Sequence, residues 1–291
     1  MPAAESRREF FVGVDSDGCV FDTMELKWKE CFIPEMIRHY HLQAVSRLAR
    51  ETAEFVNLYS QDRGCNRFFG LIKTLDLLAR RPEVDERGFA ARCCVPESLR
   101  HWVAQETKLS QPALAAAAEA TGDAALAAAL AWSREVNASI AATVSGVPPF
   151  PHVEESLAAL AAEADVIVCS ATPTAALQAE WGEHGLDRHV GQIYGQEAGS
   201  KREILAAAAR YTPQRALMIG DAPGDYRAAE ANGCLFFPII PGQETQSWAA
   251  FAAEGLPRFL SGQFAGEYHD RLVRQFLECL PAQPPWLQTE R

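Results

Sequence analysis

No stretch of this 291-residue sequence approaches the roughly 20 consecutive apolar residues of a membrane-spanning helix. Nor do the first nine residues, which are rich in charge, contain the apolar core of a secretory leader. A cytoplasmic address is therefore the expectation. The eight cysteines form no C-x-x-C pair and the seven histidines no H-E-x-x-H spacing, which argues against zinc-binding motifs. Cys93 and Cys94 are adjacent, and Cys169 and Cys234 fall in strand-like runs, so reduced and mostly buried thiols are expected. His39 and His41 have no ligand pattern and read as surface residues. Basic residues are also in short supply: Lys and Arg number 27 against 38 Asp and Glu, a formal net charge of -11. That balance disfavours nucleic acid and anionic membranes as partners, although local cations can still set the field inside one cleft. There is no internal repeat, and no low-complexity tract beyond an alanine bias.

What the chain does contain is a set of short apolar runs that end in polar side chains. Phe10-Phe11-Val12-Gly13-Val14 reads as a buried strand of a parallel sheet and runs into Asp15-Ser16-Asp17-Gly18. Ligands of such sheets bind beyond the carboxyl ends of the strands, where these two carboxylates sit. Carboxylates held this close bind a cation, share a proton or divide into separate roles, although D-x-D-G alone also fits an ordinary turn. Asp165-Val166-Ile167-Val168-Cys169 is a second such run, followed by Ser170-Ala171-Thr172-Pro173. Taken alone, Ser170 reads as a helix N-cap ahead of Pro173. Gly199-Ser200-Lys201-Arg202-Glu203 opens an alanine-rich helix with the spacing of a capping box. Lys201 in its first turn opposes the helix dipole unless an anion lies nearby. Arg215 to Gly220 reads as another strand and ends in Asp221-Ala222-Pro223-Gly224-Asp225, a second acidic pair.

Strands are predicted near residues 10–15, 165–170, 192–195, 215–221 and 234–240, alternating with helices after the first long gap. This order predicts a doubly wound parallel α/β sheet with right-handed crossovers. The gap itself reads as helical, over Glu25 to Tyr40, Leu42 to Leu58, Arg67 to Arg80, Pro96 to Lys108, Pro112 to Ala120 and Asp123 to Ala142. Thr121-Gly122-Asp123 marks a break and restart, and Gly146 to Pro151 a stiff linker back to the sheet. The expected division is thus 1–22 with 146–291 as the α/β core and 23–145 as an inserted helical domain. Within the core, 241–291 forms a helical extension, including Trp248 to Glu254 and Glu267 to Leu280. Its apolar residues would pack on the core or on a second copy of the chain, so a monomer or a homodimer is expected.

Taken together and in this order, the four strand-end motifs resemble the haloacid dehalogenase-like hydrolase superfamily. Asp15 to Gly18 matches its D-x-D-G motif, Ser170 its strand-terminal hydroxyl, and Lys201 its lysine near a helix start. Gly220, Asp221 and Asp225 match its G-D-x-x-x-D. The match spans roughly residues 10–240, with Cys19 a minor departure where Val or Thr is more usual. The resemblance implies a Rossmann-like core and a helical cap. It also implies a Mg²⁺ held by Asp15, the Asp17 backbone carbonyl, Asp221 and Asp225, a set of oxygen ligands that suits this hard cation. Asp15 would act as nucleophile and Asp17 as general acid and base, with Ser170, the Ala171 backbone N–H and Lys201 holding the phosphoryl group.

An acid at the position of Asp17 sets the chain apart from dehalogenase and phosphonate-cleaving members. It favours phosphate monoester chemistry on a small phosphorylated metabolite, as in the branch resembling phosphoglycolate phosphatase and β-phosphoglucomutase. A sugar phosphomutase and a non-catalytic phosphate-binding protein on the same fold are the alternatives. Substrate choice is expected from the helical domain, where Arg63, Asn66 and Arg67 lie in a polar segment between two helices, with Lys27 and Lys29 as weaker candidates.

Overall fold

The structure is a computed structural model that describes residues 8–287. The chain divides into two compact units. The first comprises the residues up to Met24 together with Gly146–Leu280; the second comprises Glu25–Ser145 and the residues from Pro281.

The first unit is built on a five-stranded parallel sheet of order β3-β2-β1-β4-β5. Its strands are β1 (Phe10–Val14), β2 (Ala164–Cys169), β3 (Gln192–Tyr194), β4 (Ala216–Gly220) and β5 (Leu235–Pro238). Side chains alternate across a strand, so the near-continuous apolar runs supply a core to each face. Val12, Val14, Val166, Val168, Leu217, Ile219 and Phe237 enter one core; Phe11, Ile167, Cys169, Met218 and Phe236 enter the other. From β1 the chain builds outward through β2 and β3, then returns to lay β4 and β5 on the opposite side. The strand order reverses between β1 and β4, which is where sheets of this kind leave a crevice at their carboxyl ends. In register, Val14 pairs with Val168 and Ile219, so Asp15, Ser170 and Asp221 emerge from the same edge.

Residues 146–152 return to the sheet beside the segment that leaves it. Pro149 forms an antiparallel bridge with Phe21, and Phe150 N donates to Val20 O at 2.9 Å.

The second unit is helical. Its core joins Ile33, Met36, Leu48, Phe68, Leu71, Leu75, Leu99, Leu126 and Trp132, drawn from helices that include Ser46–Leu58, Arg67–Ala79, Glu97–Gln105, Gln111–Thr121 and Ala124–Thr143. Side chains of Asn66, Ser110 and Asp123 cap three of these helices, and Gly122 adopts φ 64° to end one and allow the next to start.

Two differences from the sequence expectations have local causes. The segment expected as one helix from Glu25 to Tyr40 contains a π-helical stretch, Lys27–Phe32, before the α-helix Ile33–His39. Pro34 has no N–H to offer the carbonyl four residues back, and Ile33 N instead donates to Trp28 O, five residues back. The same arrangement recurs at Phe251–Gly255, just ahead of Pro257, within the helical stretch from Glu244 to Leu260. The second difference is in the C-terminal extension, which the sequence assigns to the core as a whole. The helix Glu267–Glu278 belongs to the sheet-bearing unit, but residues 281–287 group with the helical one. There Trp286 lies edge-on to Phe55, with its ring 4.2 Å from the Arg81 guanidinium. Periodicity carries no sign of this attachment, because the segment is proline-rich and only its last three described residues, Pro285–Leu287, form a 3-10 turn.

Candidate active site

The residues at the ends of β1 and β4 are drawn together by the sheet. Asp15 N donates to Ile219 O at 3.0 Å, continuing the β1–β4 ladder one residue past the strand. The chain then turns sharply. Gly18, at φ 78°, donates from its N–H to Phe21 O, and Val20 N donates to Ser16 O. Ser16 is wholly buried; its hydroxyl accepts from Trp181 Nε1 at 3.0 Å and donates to Glu180 at 3.3 Å. The residue between the two aspartates is thereby pinned to the helix Thr174–Glu183.

Asp15, Asp221 and Asp225 are all buried, and they offer carboxylate oxygens that lie within 4.8 Å of one another. Gly220 makes room for this cluster, because a Cβ there would lie 2.5 Å from Asp225 Oδ2. Lys201 reaches the cluster from a third segment, with Nζ 2.6 Å from Asp15 Oδ2 and 2.5 Å from Asp225 Oδ1. Its position follows from local packing. Ser200 and Glu203 close a capping box that starts the helix Lys201–Leu205, and this helix approaches β1 at Gly13, where a Cβ would lie 2.6 Å from Leu205 Cδ2. The carboxylates around Lys201 resolve the unfavourable placement of a cation in a helix's first turn.

Burial is the leading influence on Asp15. Together with repulsion from Asp225 and Asp221 it holds the carboxyl well above the usual carboxylate range, against the pull of Lys201. Burial also opposes the charge on Lys201, yet Asp15 and Asp225 outweigh it and raise that ammonium well above its ordinary value. Three hard oxygen donors brought together in a buried site suit a divalent cation of the magnesium or calcium type.

Asp17 is placed differently from Asp15. Its carboxylate accepts hydrogen bonds from both sides: Thr23 Oγ1 at one oxygen, and Thr172 Oγ1 at the other, 2.6 Å away. The Asp17 carboxylate is thus absent from the cluster of Asp15, Asp221 and Asp225; the ligand expected from Asp17 is its backbone carbonyl. Asp225 accepts from Lys201 and, through Oδ2, from Ala222 N at 3.0 Å. Ser170 is buried and does not cap the following helix; its hydroxyl accepts from Thr172 N at 3.2 Å, and Pro173 occupies the N-cap position. Ala171, next to it, is exposed.

The three candidates from the helical unit have internal partners there. Arg63 is buried and donates to Leu58 O at 2.8 Å, at the end of the helix Ser46–Leu58. Asn66 caps the next helix by accepting from Phe68 N, and donates to Leu109 O. Arg67 donates to Ser133 and Asn137 and lies 4.9 Å over the Phe32 ring; burial lowers its pKa to about 10. Lys29 pairs with Glu25 and donates to Tyr59 at 3.1 Å.

Sequence reasoning passed over Thr23, Thr172, Trp181 and Glu180. Thr172 stood inside a motif already singled out, but a threonine beside a turn has no distinguishing signal.

A family model described as haloacid dehalogenase-like hydrolase matches residues 13–233. Among solved structures, one from Haemophilus somnus, described as a predicted phosphoglycolate phosphatase, is 16% identical, with 82% of this chain and 92% of that chain covered and a TM-score of 0.40. A HAD-superfamily hydrolase from Geobacter sulfurreducens is 17% identical, with coverages of 81% and 90% and a TM-score of 0.39. A Thermotoga maritima protein assigned as a β-phosphoglucomutase is 12% identical, with coverages of 79% and 84% and a TM-score of 0.38. A comparison with curated proteins gave no match. Among the described residues no helix is long and apolar enough to cross a membrane.

Proposed function

This chain belongs to the haloacid dehalogenase-like hydrolases, and we propose that within the family it is a Mg²⁺-dependent phosphatase of a small phosphorylated metabolite, working through an aspartyl-phosphate at Asp15. The observation that carries this reading is the convergence of Asp15, Lys201, Asp221 and Asp225, with Asp17 held two residues away by hydroxyl donors.

Phosphoryl transfer requires an in-line nucleophile, relief of charge on the phosphoryl oxygens, and a proton for the leaving group. Asp15 attacks phosphorus, which divides one difficult displacement into two easier ones. Asp17 gives its proton to the departing alcohol and afterwards takes one from the attacking water. Lys201 and Ser170, with the Ala171 N–H, hold the phosphoryl oxygens, and Asp225 orients Lys201 through their 2.5 Å pair. A Mg²⁺ bound by Asp15, Asp221, Asp225 and the Asp17 carbonyl would neutralise phosphoryl charge and draw Asp15 into its ionised form.

Arg63, Asn66 and Arg67 support the helical unit through the partners they have in this structure. The same three residues are this chain's candidates for choosing the substrate. The substrate is a small phosphate ester, which the acidic net charge does not discourage as it does a nucleic acid or an anionic membrane, because local cations set the field inside one cleft.

Phosphate release from p-nitrophenyl phosphate, measured with Mg²⁺ and again after exhaustive chelation, tests the proposal. Turnover that needs the cation is expected. Full activity after chelation, or no turnover of any phosphate monoester across a metabolite panel, would overturn it.

A further inference from the structure

We propose that Thr172 is a positioning residue for proton transfer by Asp17, an inference that rests on the general acid and base role assigned to Asp17 above. Thr172 Oγ1 donates to Asp17 Oδ2 at 2.6 Å, across 155 positions of sequence, while Thr23 Oγ1 holds Oδ1. With both oxygens held, the plane of the carboxylate is fixed.

Thr172 is itself well placed to do this. Its backbone N–H donates to Ser170 Oγ at 3.2 Å, and its carbonyl accepts from Gln196 N at 3.1 Å, so the loop after β2 is tied down on both sides. The Ser170 loop is thereby joined to Asp17 through one residue. The loop expected to hold the phosphoryl group also aims the acid.

The chemistry explains why a hydroxyl suits this position. In the first step an Asp15 oxygen bonds to phosphorus, the ester P–O bond breaks, and the Asp17 proton passes to the leaving oxygen, giving free alcohol and an Asp17 carboxylate. In the second step a water oxygen bonds to phosphorus and Asp17 takes the water proton. The bond between Asp15 and phosphorus then breaks, releasing phosphate. Asp17 therefore alternates between acid and anion during each turnover. A neutral hydroxyl can donate to Oδ2 of the acid as well as of the anion, leaving the acid proton for the leaving oxygen, whereas an ammonium or guanidinium would favour the anion alone. Thr172 can keep its hydrogen bond to Asp17 through both steps.

Leaving-group dependence tests this, because proton donation matters for a poor leaving group and little for a good one. Thr172→Val and Thr172→Ser would be compared with the parent and with Asp17→Asn. The readout is kcat/KM on a series of phosphate monoesters from p-nitrophenyl to simple alkyl, with melting temperature measured alongside. Thr172→Val should lose roughly ten- to hundredfold on alkyl esters, a part of the range general acids supply, and less than about threefold on the p-nitrophenyl ester. Thr172→Ser should restore most of the loss. Equal losses on both esters, or no loss on either, would overturn the role of Thr172. If Asp17→Asn itself showed no dependence on the leaving group, the acid assignment beneath it would fall instead.

Discussion

Lys201 Nζ stands 2.6 Å from Asp15 Oδ2 and 2.5 Å from Asp225 Oδ1, so a single ammonium joins the residue that follows β1 to the helix that follows β4. Three segments distant in sequence meet at one buried charge. Two carboxyl groups share one cation before Asp221 is considered, and that excess of acids over cations sets how the site responds to pH and to metal.

The first consequence concerns Asp15 and stability. Its carboxyl is held above the usual range in the fold, so between the ordinary aspartate pKa and that raised value the native state binds more protons than the unfolded chain. Stability contributed by this group therefore falls as pH rises through the window. Asp15→Asn removes the term. In chelator, the variant should melt at the same temperature as the parent or higher, with the advantage growing toward neutral pH. Thermal melting across that range checks it; a deficit that widens with pH would show that the charged form of Asp15 stabilises the fold.

Metal should act in the opposite sense. Three carboxylates crowded within 4.8 Å are destabilised by one another, and a divalent cation that binds only the native state raises its stability by mass action, by about 2.7 kcal/mol at a hundredfold excess over Kd. Adding Mg²⁺ to chelated protein should raise the melting temperature, and Asp221→Asn should abolish most of that rise. An undiminished rise in the variant would place the cation elsewhere.

The strand-end motifs were legible in the sequence because each is local: an apolar run announces a buried strand, and the next residues must emerge at its end. Asp15, Ser170, Lys201 and Asp221 needed no knowledge of tertiary contacts. Thr172 on Asp17 and Trp181 on Ser16 did, since each pairing spans more than 150 positions and uses residue types common in turns and cores. Arg67 illustrates the same limit. In sequence it is a charge beside a polar loop, yet the fold turns it toward Ser133 and Asn137. The two π-helical stretches could have been anticipated at Pro34 and Pro257, where a missing N–H breaks the regular ladder.

Trp286 supplies a prediction about the helical unit. Its ring lies 4.2 Å from the guanidinium of Arg81, a side chain only 5% exposed that also pairs with Glu51 at 2.9 Å. Phe55, Val56 and Leu77 complete the patch. A desolvated cation–π contact with this packing is worth about 2 kcal/mol or more. Trp286→Ala should lower the denaturation midpoint accordingly, and a midpoint equal to that of the parent would mean that the C-terminal segment adds nothing to this unit.

The central claim is that Asp15 carries the phosphoryl group. An aspartyl-phosphate is an activated acyl group, which borohydride reduces to the alcohol, so quenching the enzyme during turnover with borohydride should convert residue 15 to homoserine. Peptide mass spectrometry reads this directly. The account predicts homoserine at position 15 only when substrate and Mg²⁺ are both present, and none in Asp15→Asn; steady turnover with Asp15 unmodified, or the label on another carboxylate, would contradict it.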